Sequence, residues 1–152
     1  MGLFWSWSAF EALHPHELYE SMALRQAVFV VEQACPYLDA DGLDPRAHHL
    51  LGRIDGVLVA YLRAFAPDVL YPGAACIGRV VTASPIRGQG HGRPLMREGM
   101  RRVSETWGAG PVKLAAQAHL EGYYASLGFE VCGPGYDEDG IPHLPMLRSQ
   151  SP

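Results

Sequence analysis

The spacing of hydrophobic positions changes several times along the chain, and each change predicts an element. Leu3 to Phe10 alternates around Trp5 and Trp7, the two-residue repeat of a half-buried strand. From Pro15, which suits a first helical turn, Leu18, Met22, Arg25-Gln26 and Phe29 recur at helical spacing and predict a helix over about 15–30. Glu32 to Arg46 is rich in Asp, Gly and Pro and reads as a loop. His49–Ile54 and Val57–Phe65 are apolar runs separated by Asp55-Gly56, the signal of a hairpin. Pro67 and Pro72 bracket a short connection to Cys76–Thr82, a β-branched run and hence a strand, which Pro85 ends. Met96, Met100, Val103 and Trp107 then share one face of a helix that stops at Gly108-x-Gly110-Pro111. Val112–Ala118 predicts a strand and His119–Leu127 a short helix closed by Gly128. Phe129–Cys132 is a further strand, Gly133-Pro134-Gly135 and Asp137–Gly140 are loops, and His143–Arg148 is the last strand. Residues 149–152 are expected to fray.

This order predicts an α+β domain, a mixed sheet with helices on both faces. A length of 152 residues suits one domain, taken as 1–148. With 48% apolar residues it can bury a core without a metal or disulfide staple. The net charge of −4 argues against a nucleic-acid binder. Three cysteines, Cys35, Cys76 and Cys132, lack C-x-x-C spacing and read as reduced thiols of a cytoplasmic protein. No apolar run approaches a membrane span, and the first residues lack the basic start and apolar core of a signal peptide. Gly2 with Ser6 matches a myristoylation spacing, but Leu3-Phe4-Trp5 reads better as a strand.

The chemistry concentrates between the strand at Cys76–Thr82 and the following helix. There Arg87-Gly88-Gln89-Gly90-His91-Gly92-Arg93 places three alternating glycines at a helix start, where free N–H groups and the positive dipole end suit a phosphate. It is neither a nucleoside-triphosphate loop, which needs Gly-Lys-Ser/Thr, nor a dinucleotide G-x-G-x-x-G, because Arg93 occupies the last position. The pattern Arg87-x-x-Gly90-x-Gly92 resembles the pyrophosphate signature of the GNAT-type N-acetyltransferases, which grip coenzyme A. Tyr124-Ala125-Ser126-Leu127-Gly128-Phe129 matches that family's later tyrosine motif in order and spacing. Further stretches are similar to the ElaA-type subgroup: Val28–Gln33 with Cys35-Pro36-Tyr37, Ile77–Val80, Ala116–His119, and Tyr136-x-Glu138-Asp139-Gly140-Ile141-Pro142-His143.

The resemblance implies the acyl-CoA N-acyltransferase fold: a central mixed, mostly antiparallel sheet of about six to seven strands, splayed between the two strands that precede the C-terminal helices. It implies acetyl-CoA as cofactor and direct transfer of acetyl to a primary amine, small-molecule or peptide, in a ternary complex. The alternative is a non-catalytic acyl-CoA sensor on the same fold. Gly88, Gln89, Gly90, His91 and Gly92 would offer N–H groups to pyrophosphate, with Arg87 and Arg93 as charge partners. Val80 and Val81 would present main chain to the pantetheine arm and polarise the acetyl carbonyl.

Tyr124 falls on the family position that assists the leaving thiolate. A thiol near pKa 8.5 is a stronger acid than a phenol near 10, so hydrogen bonding rather than full proton transfer is expected of it. Glu32 and His119 lead the candidates for the base, ahead of Glu138, Asp139 and His143. Glu32, Arg79, Gln117 and His143 are the candidate acceptor-binding residues, Gln117 standing where many members have asparagine. Asp39, Asp41 and Asp44 read as an acidic surface loop or one that shapes the acceptor site; they lack the glycine and glutamate of a calcium loop. Arg101 and Arg102 read as a solvated helix face. His14, His16, His48 and His49 read as surface or loop residues with no metal role. Trp5, Trp7 and the strand edges are candidates for a homodimer contact.

Overall fold

The computed structural model describes residues 2–149, the side chain of Ile86 excepted. Of the tail expected to fray, 150–152 lie outside the described residues and Ser149 is an exposed bend.

β1 (Phe4–Ala9) leads through a 3₁₀ turn to α1 (Pro15–Arg25). The helix start is a reciprocal cap: His16 N–H donates to His14 Nδ1, and His14 N–H donates to Glu17 Oε1 at 2.8 Å. After Arg25 the helix widens instead of ending. Gln26–Glu32 is π-helical, with Gln33 N–H bonded to Val28 O and Cys35 N–H to Val30 O, five residues back, each at 3.0 Å. The expected loop start at Glu32 is therefore the last π-helical residue, and Ala34 in a left-handed conformation makes the turn.

β2 (His48–Ile54) and β3 (Val57–Phe65) form the expected hairpin, with Asp55 and Gly56 both at positive φ. β4 (Ala75–Thr82), α2 (Gly92–Trp107), β5 (Val112–Gln117), α3 (Glu121–Ala125), β6 (Glu130–Val131), β7 (Tyr136–Glu138) and β8 (Ile141–Arg148) complete the chain. Among the described residues the sheet has eight strands, one more than expected, ordered β1-β2-β3-β4-β5-β8-β6 with β7 also on β8. The extra strand is β7: three exposed residues with no apolar alternation, held in the ladder by backbone pairing with Ile141–His143. Every pairing is antiparallel except β4 with β5.

Helices cover both faces. α2, α3 and the turn after α3 bury Leu95, Met96, Met100, Val103, Tyr124 and Leu127 against Leu50, Leu62, Ile77, Leu114 and Met146. α1 and its π-helical extension pack Leu24, Val28 and Phe29 on Leu51, Leu58, Tyr61 and Val81 of the other face. α2 lies close enough to β3 that a Cβ at Gly99 would sit 2.6 Å from Leu62 Cδ2. Trp5 and Trp7 pack against the first core within the chain, and Trp7 Nε1 donates to Thr106 Oγ1 at 3.1 Å.

Candidate active site

β4 and β5 pair at only two positions, Ala75 with Val112 and Cys76 with Lys113, and then diverge. This splay, which the family resemblance implies, opens a cavity of about 780 Å³. Within β4 the ladder to β3 slips: Tyr61 faces Val81 but Arg63 faces Gly78, so β4 carries one residue more than β3 between these pairs. This bulge takes Arg79 and Val80 out of the β3 ladder and puts Arg79 at φ +51°, a strained conformation for a residue with a side chain.

The strain is held by a buried ionic lattice. Arg79 Nε lies 2.8 Å from Asp39 Oδ1 and Nη2 3.3 Å from Asp41 Oδ2, with the guanidinium over the Tyr37 ring. Arg25, the last residue of α1 and fully buried, donates from Nε to Asp39 Oδ2 and from Nη1 to Asp44 Oδ1, each at 2.8 Å. Arg63 donates from Nη1 to Asp44 Oδ1 at 2.9 Å and from Nη2 to Asp41 Oδ2 at 2.6 Å. His49 Nε2 faces the Asp44 carbonyl at 3.0 Å, so it carries the ring proton, and Nδ1 accepts from the Tyr61 hydroxyl at 2.6 Å.

Two readings are corrected here. The Asp39–Asp44 loop is not an acidic surface loop: Asp39 and Asp44 are buried, and three arginines neutralise its three carboxylates. His49 is buried in β2, not a surface residue. Burial by itself would raise the Asp44 carboxyl, but hydrogen bonds and charge from Arg25 and Arg63 outweigh it and hold it below the usual carboxylate range. The same balance, led by Arg63 and the Leu43 N–H, depresses Asp41. Burial lowers the His49 imidazole, consistent with its neutral role. The lattice passes unseen in the sequence, although one signal was present: Arg63 interrupts the apolar run Val57–Phe65, and an arginine inside a buried strand needs carboxylate partners.

Gly88 and Gly90 have φ of +82° and +80°, and a Cβ at either would meet nothing within 4 Å. The first bond of α2 runs from Leu95 N–H to His91 O, and no side chain caps the start, so the N–H groups of Gly92 and Arg93 have no intrahelical acceptor. Gln89 Nε2 donates to Pro85 O at 3.1 Å, bracing the loop. Arg93 turns toward α3, donating to Ser126 Oγ at 2.7 Å with its guanidinium over Tyr123. Gly88 to Arg93 do not line the cavity; Arg87, which precedes them, does.

The cavity brings together Tyr124, Glu32, His119, Arg79, Gln117 and His143, all singled out from sequence, with Val80, Val81 and Arg87. Tyr124 is buried edge-on against Tyr123 and Phe129, and its hydroxyl has no hydrogen-bond partner among the described residues. Burial pushes its phenol well above the ordinary value, so it stays protonated at neutral pH. Glu32 is engaged by both Nη groups of Arg87, with Nη2 at 2.8 Å from Oε2, and this pairing holds its carboxyl below the usual range. Gln117 Nε2 donates to Gln33 Oε1 at 3.3 Å. His143 is buried, Nδ1 donating to Ile141 O at 2.7 Å and Nε2 facing Glu138 Oε2 at 3.5 Å. His119 is exposed in the 3₁₀ turn Ala118–Leu120 that follows β5. Cys35 and Cys76 are free and buried, and burial lifts the Cys76 thiol to about 11, as expected of a packing residue. No helix among the described residues is long and apolar enough to cross a membrane.

Residues 27–149 match the acetyltransferase (GNAT) domain family. The protein ElaA of Escherichia coli is 44% identical over 135 residues, covering 87% of each chain. Its crystal structure superposes with a TM-score of 0.89 at 40% identity, covering 97% of this chain and 99% of that one. The structure of an acyl-CoA N-acyltransferase from Pseudomonas aeruginosa matches with a TM-score of 0.92 at 46% identity, over 97% and 99% of the two chains. The chain therefore belongs to the GNAT family, in its ElaA-like subgroup, and has the acyl-CoA N-acyltransferase fold.

Proposed function

We propose that this protein is an acetyl-CoA-dependent N-acetyltransferase that moves an acetyl group to a primary amine by direct attack in a ternary complex. The observation that carries the reading is one cavity, opened by the β4–β5 splay, that is lined both by the bulge residues Arg79 and Val80 and by buried Tyr124. The P. aeruginosa neighbour is described as an acyl-CoA N-acyltransferase, which supports the same class here.

The residues present fit coenzyme A. Gly88 and Gly90 leave open space where side chains would stand, and the N–H groups of Gly92 and Arg93 remain unspent beside them. Gly88 to Gly92 with Arg87 would hold the pyrophosphate; Arg93 would join only by leaving Ser126. The cofactor supplies an activated acyl thioester. Main chain released by the bulge at Val80, with Val81 next to it, would donate to the carbonyl oxygen as negative charge builds there.

The amine would displace the thiolate of that thioester, the carbon–nitrogen bond replacing the carbon–sulfur bond. The Tyr124 hydroxyl would hydrogen-bond the departing sulfur. Its raised pKa makes full transfer to a thiolate near 8.5 uphill, so its role is stabilisation, with sulfur protonation following. Of the two leading bases, Glu32 is committed to Arg87, while His119 makes no side-chain hydrogen bond among the described residues. We assign His119 the proton of the amine, and Glu32, Arg79, Gln117 and His143 the acceptor's contacts. The reading takes 1–148 as one cytoplasmic domain.

A thermal-shift series with acetyl-CoA, coenzyme A, ATP and NAD tests the cofactor. At about one hundred times the dissociation constant, binding adds about 2.7 kcal/mol, roughly 5–10 °C at this size. A shift only with the coenzyme A compounds, followed by thiol release on a panel of amines, is the expected result. Tyr124→Phe should lower turnover about 10- to 100-fold with little change in cofactor affinity. No shift with either coenzyme A compound would remove the acetyltransferase reading; binding without turnover on any amine would favour an acyl-CoA sensor.

A further inference from the structure

Arg87 holds two positions in the preceding account that it cannot fill together. It opens the glycine loop, where a pyrophosphate would need its charge, yet both of its Nη groups are spent on Glu32. The pair joins residues 55 positions apart, the last π-helical residue of the α1 segment and the start of the loop before α2. Both line the cavity, one on the side expected for the acceptor, the other on the side expected for the cofactor.

The other cavity-lining guanidiniums are not in this position. Arg63 is bound to Asp41 and Asp44, and Arg79 to Asp39 and Asp41, with side chains 6% and 19% exposed. Arg87 and Glu32 side chains are each 40% exposed, so their pair is open to water and weak. A pyrophosphate brings more negative charge than one carboxylate and would find the uncapped N–H groups of α2 close in sequence to Arg87.

We propose that Arg87 exchanges Glu32 for the cofactor's pyrophosphate, so that cofactor binding is what frees the Glu32 carboxylate to receive a cationic amine. This rests on the acetyltransferase reading above. It makes Glu32 an acceptor-binding group masked in the absence of cofactor. It also makes the order of binding, cofactor before amine, a property of one arginine. The amine would arrive as an ammonium ion on Glu32 and lose its proton elsewhere in the cavity.

The test is a double-mutant cycle read by calorimetric titration with coenzyme A: wild type, Glu32→Gln, Arg87→Gln and the double variant. Removing the Glu32 charge should free Arg87 and tighten coenzyme A about two- to fivefold, the worth of an exposed pair. Damage to the fold would not produce such a gain. Arg87→Gln should weaken binding, and in that background Glu32→Gln should change nothing. Unchanged or weaker binding by Glu32→Gln alone overturns the exchange. So does equal tightening in both backgrounds, which would report relief of charge repulsion rather than release of Arg87. A wild-type protein that binds no coenzyme A overturns the acetyltransferase reading, and the exchange with it. Tight wild-type binding with a flat cycle overturns the exchange alone.

Discussion

Two arginine–carboxylate assemblies border the same cavity, and burial makes them opposites. In the first, Arg25, Arg63 and Arg79 share Asp39, Asp41 and Asp44, with Arg25 and the Asp39 side chain essentially without water. In the second, Arg87 and Glu32 meet in the open. A buried pair is expensive to break because the survivor is left charged in a poor dielectric, whereas an exposed pair is nearly neutral to lose. The first assembly can therefore hold a strained bulge in place. The second can exchange partners. Identical chemistry acts as scaffold or as switch according to how much water reaches it.

The sharpest break in that comparison is Arg25→Met. It leaves Asp39 and Asp44 without their shared cation and should cost about 3–5 kcal/mol, lowering the melting temperature by about 10 °C. A loss below about 1 kcal/mol would mean that the lattice is no scaffold. Acid should act more gradually on the same carboxylates. Asp41 and Asp44 have folded pKa values below their unfolded ones, so their contribution is fully present above about pH 4 and is lost as pH falls further toward the folded values. Melting temperature followed from pH 7 downward should begin to fall below about pH 6.5, where the unfolded chain protonates histidines that the fold keeps neutral, and should fall further below about pH 4, this second limb being less steep in Asp44→Asn. Gly99→Ala supplies a non-ionic control: crowding Leu62 should cost about 1–3 kcal/mol without changing the acid dependence. The smallest effect belongs to the open pair. Glu32→Gln should move the melting temperature by less than about 2 °C, and a larger fall would place Glu32 with the scaffold.

What was legible from the residues alone followed local rules. Asp55-Gly56, the glycines before α2 and the apolar stripe of Met96, Met100 and Val103 each announce their structure within a few positions, and all formed as expected. Contacts between distant polar residues were not legible. Asp39 and Asp44 look like any solvated loop until Arg25 and Arg63 arrive from α1 and β3 to neutralise them. The π-helical turn escaped because its widening changes which residue ends the helix without changing the apolar spacing before it. β7 escaped because a three-residue strand held by backbone pairing leaves no side-chain signature. At the site, Tyr124, Glu32, His119, Arg79, Gln117 and His143 were singled out and line the cavity, Gly88 to Arg93 were singled out and do not, and the pairing that ties Glu32 to Arg87 was not foreseen, since it spans 55 positions and depends on where that helix ends.

The splay between β4 and β5 has a mechanical side. A central sheet is normally stiff because each strand is laced to its neighbours along its length. Here the half carrying β1 to β4 is laced to the half carrying β5 to β8 by two register pairs and the bond from Ala75 N–H to Pro111 O. Any molecule that wedges the cavity pulls on that seam. Amide exchange at Ala75, Cys76, Val112 and Lys113 would then serve as a strain gauge, reading from the far end of the strands how widely the cleft is being forced.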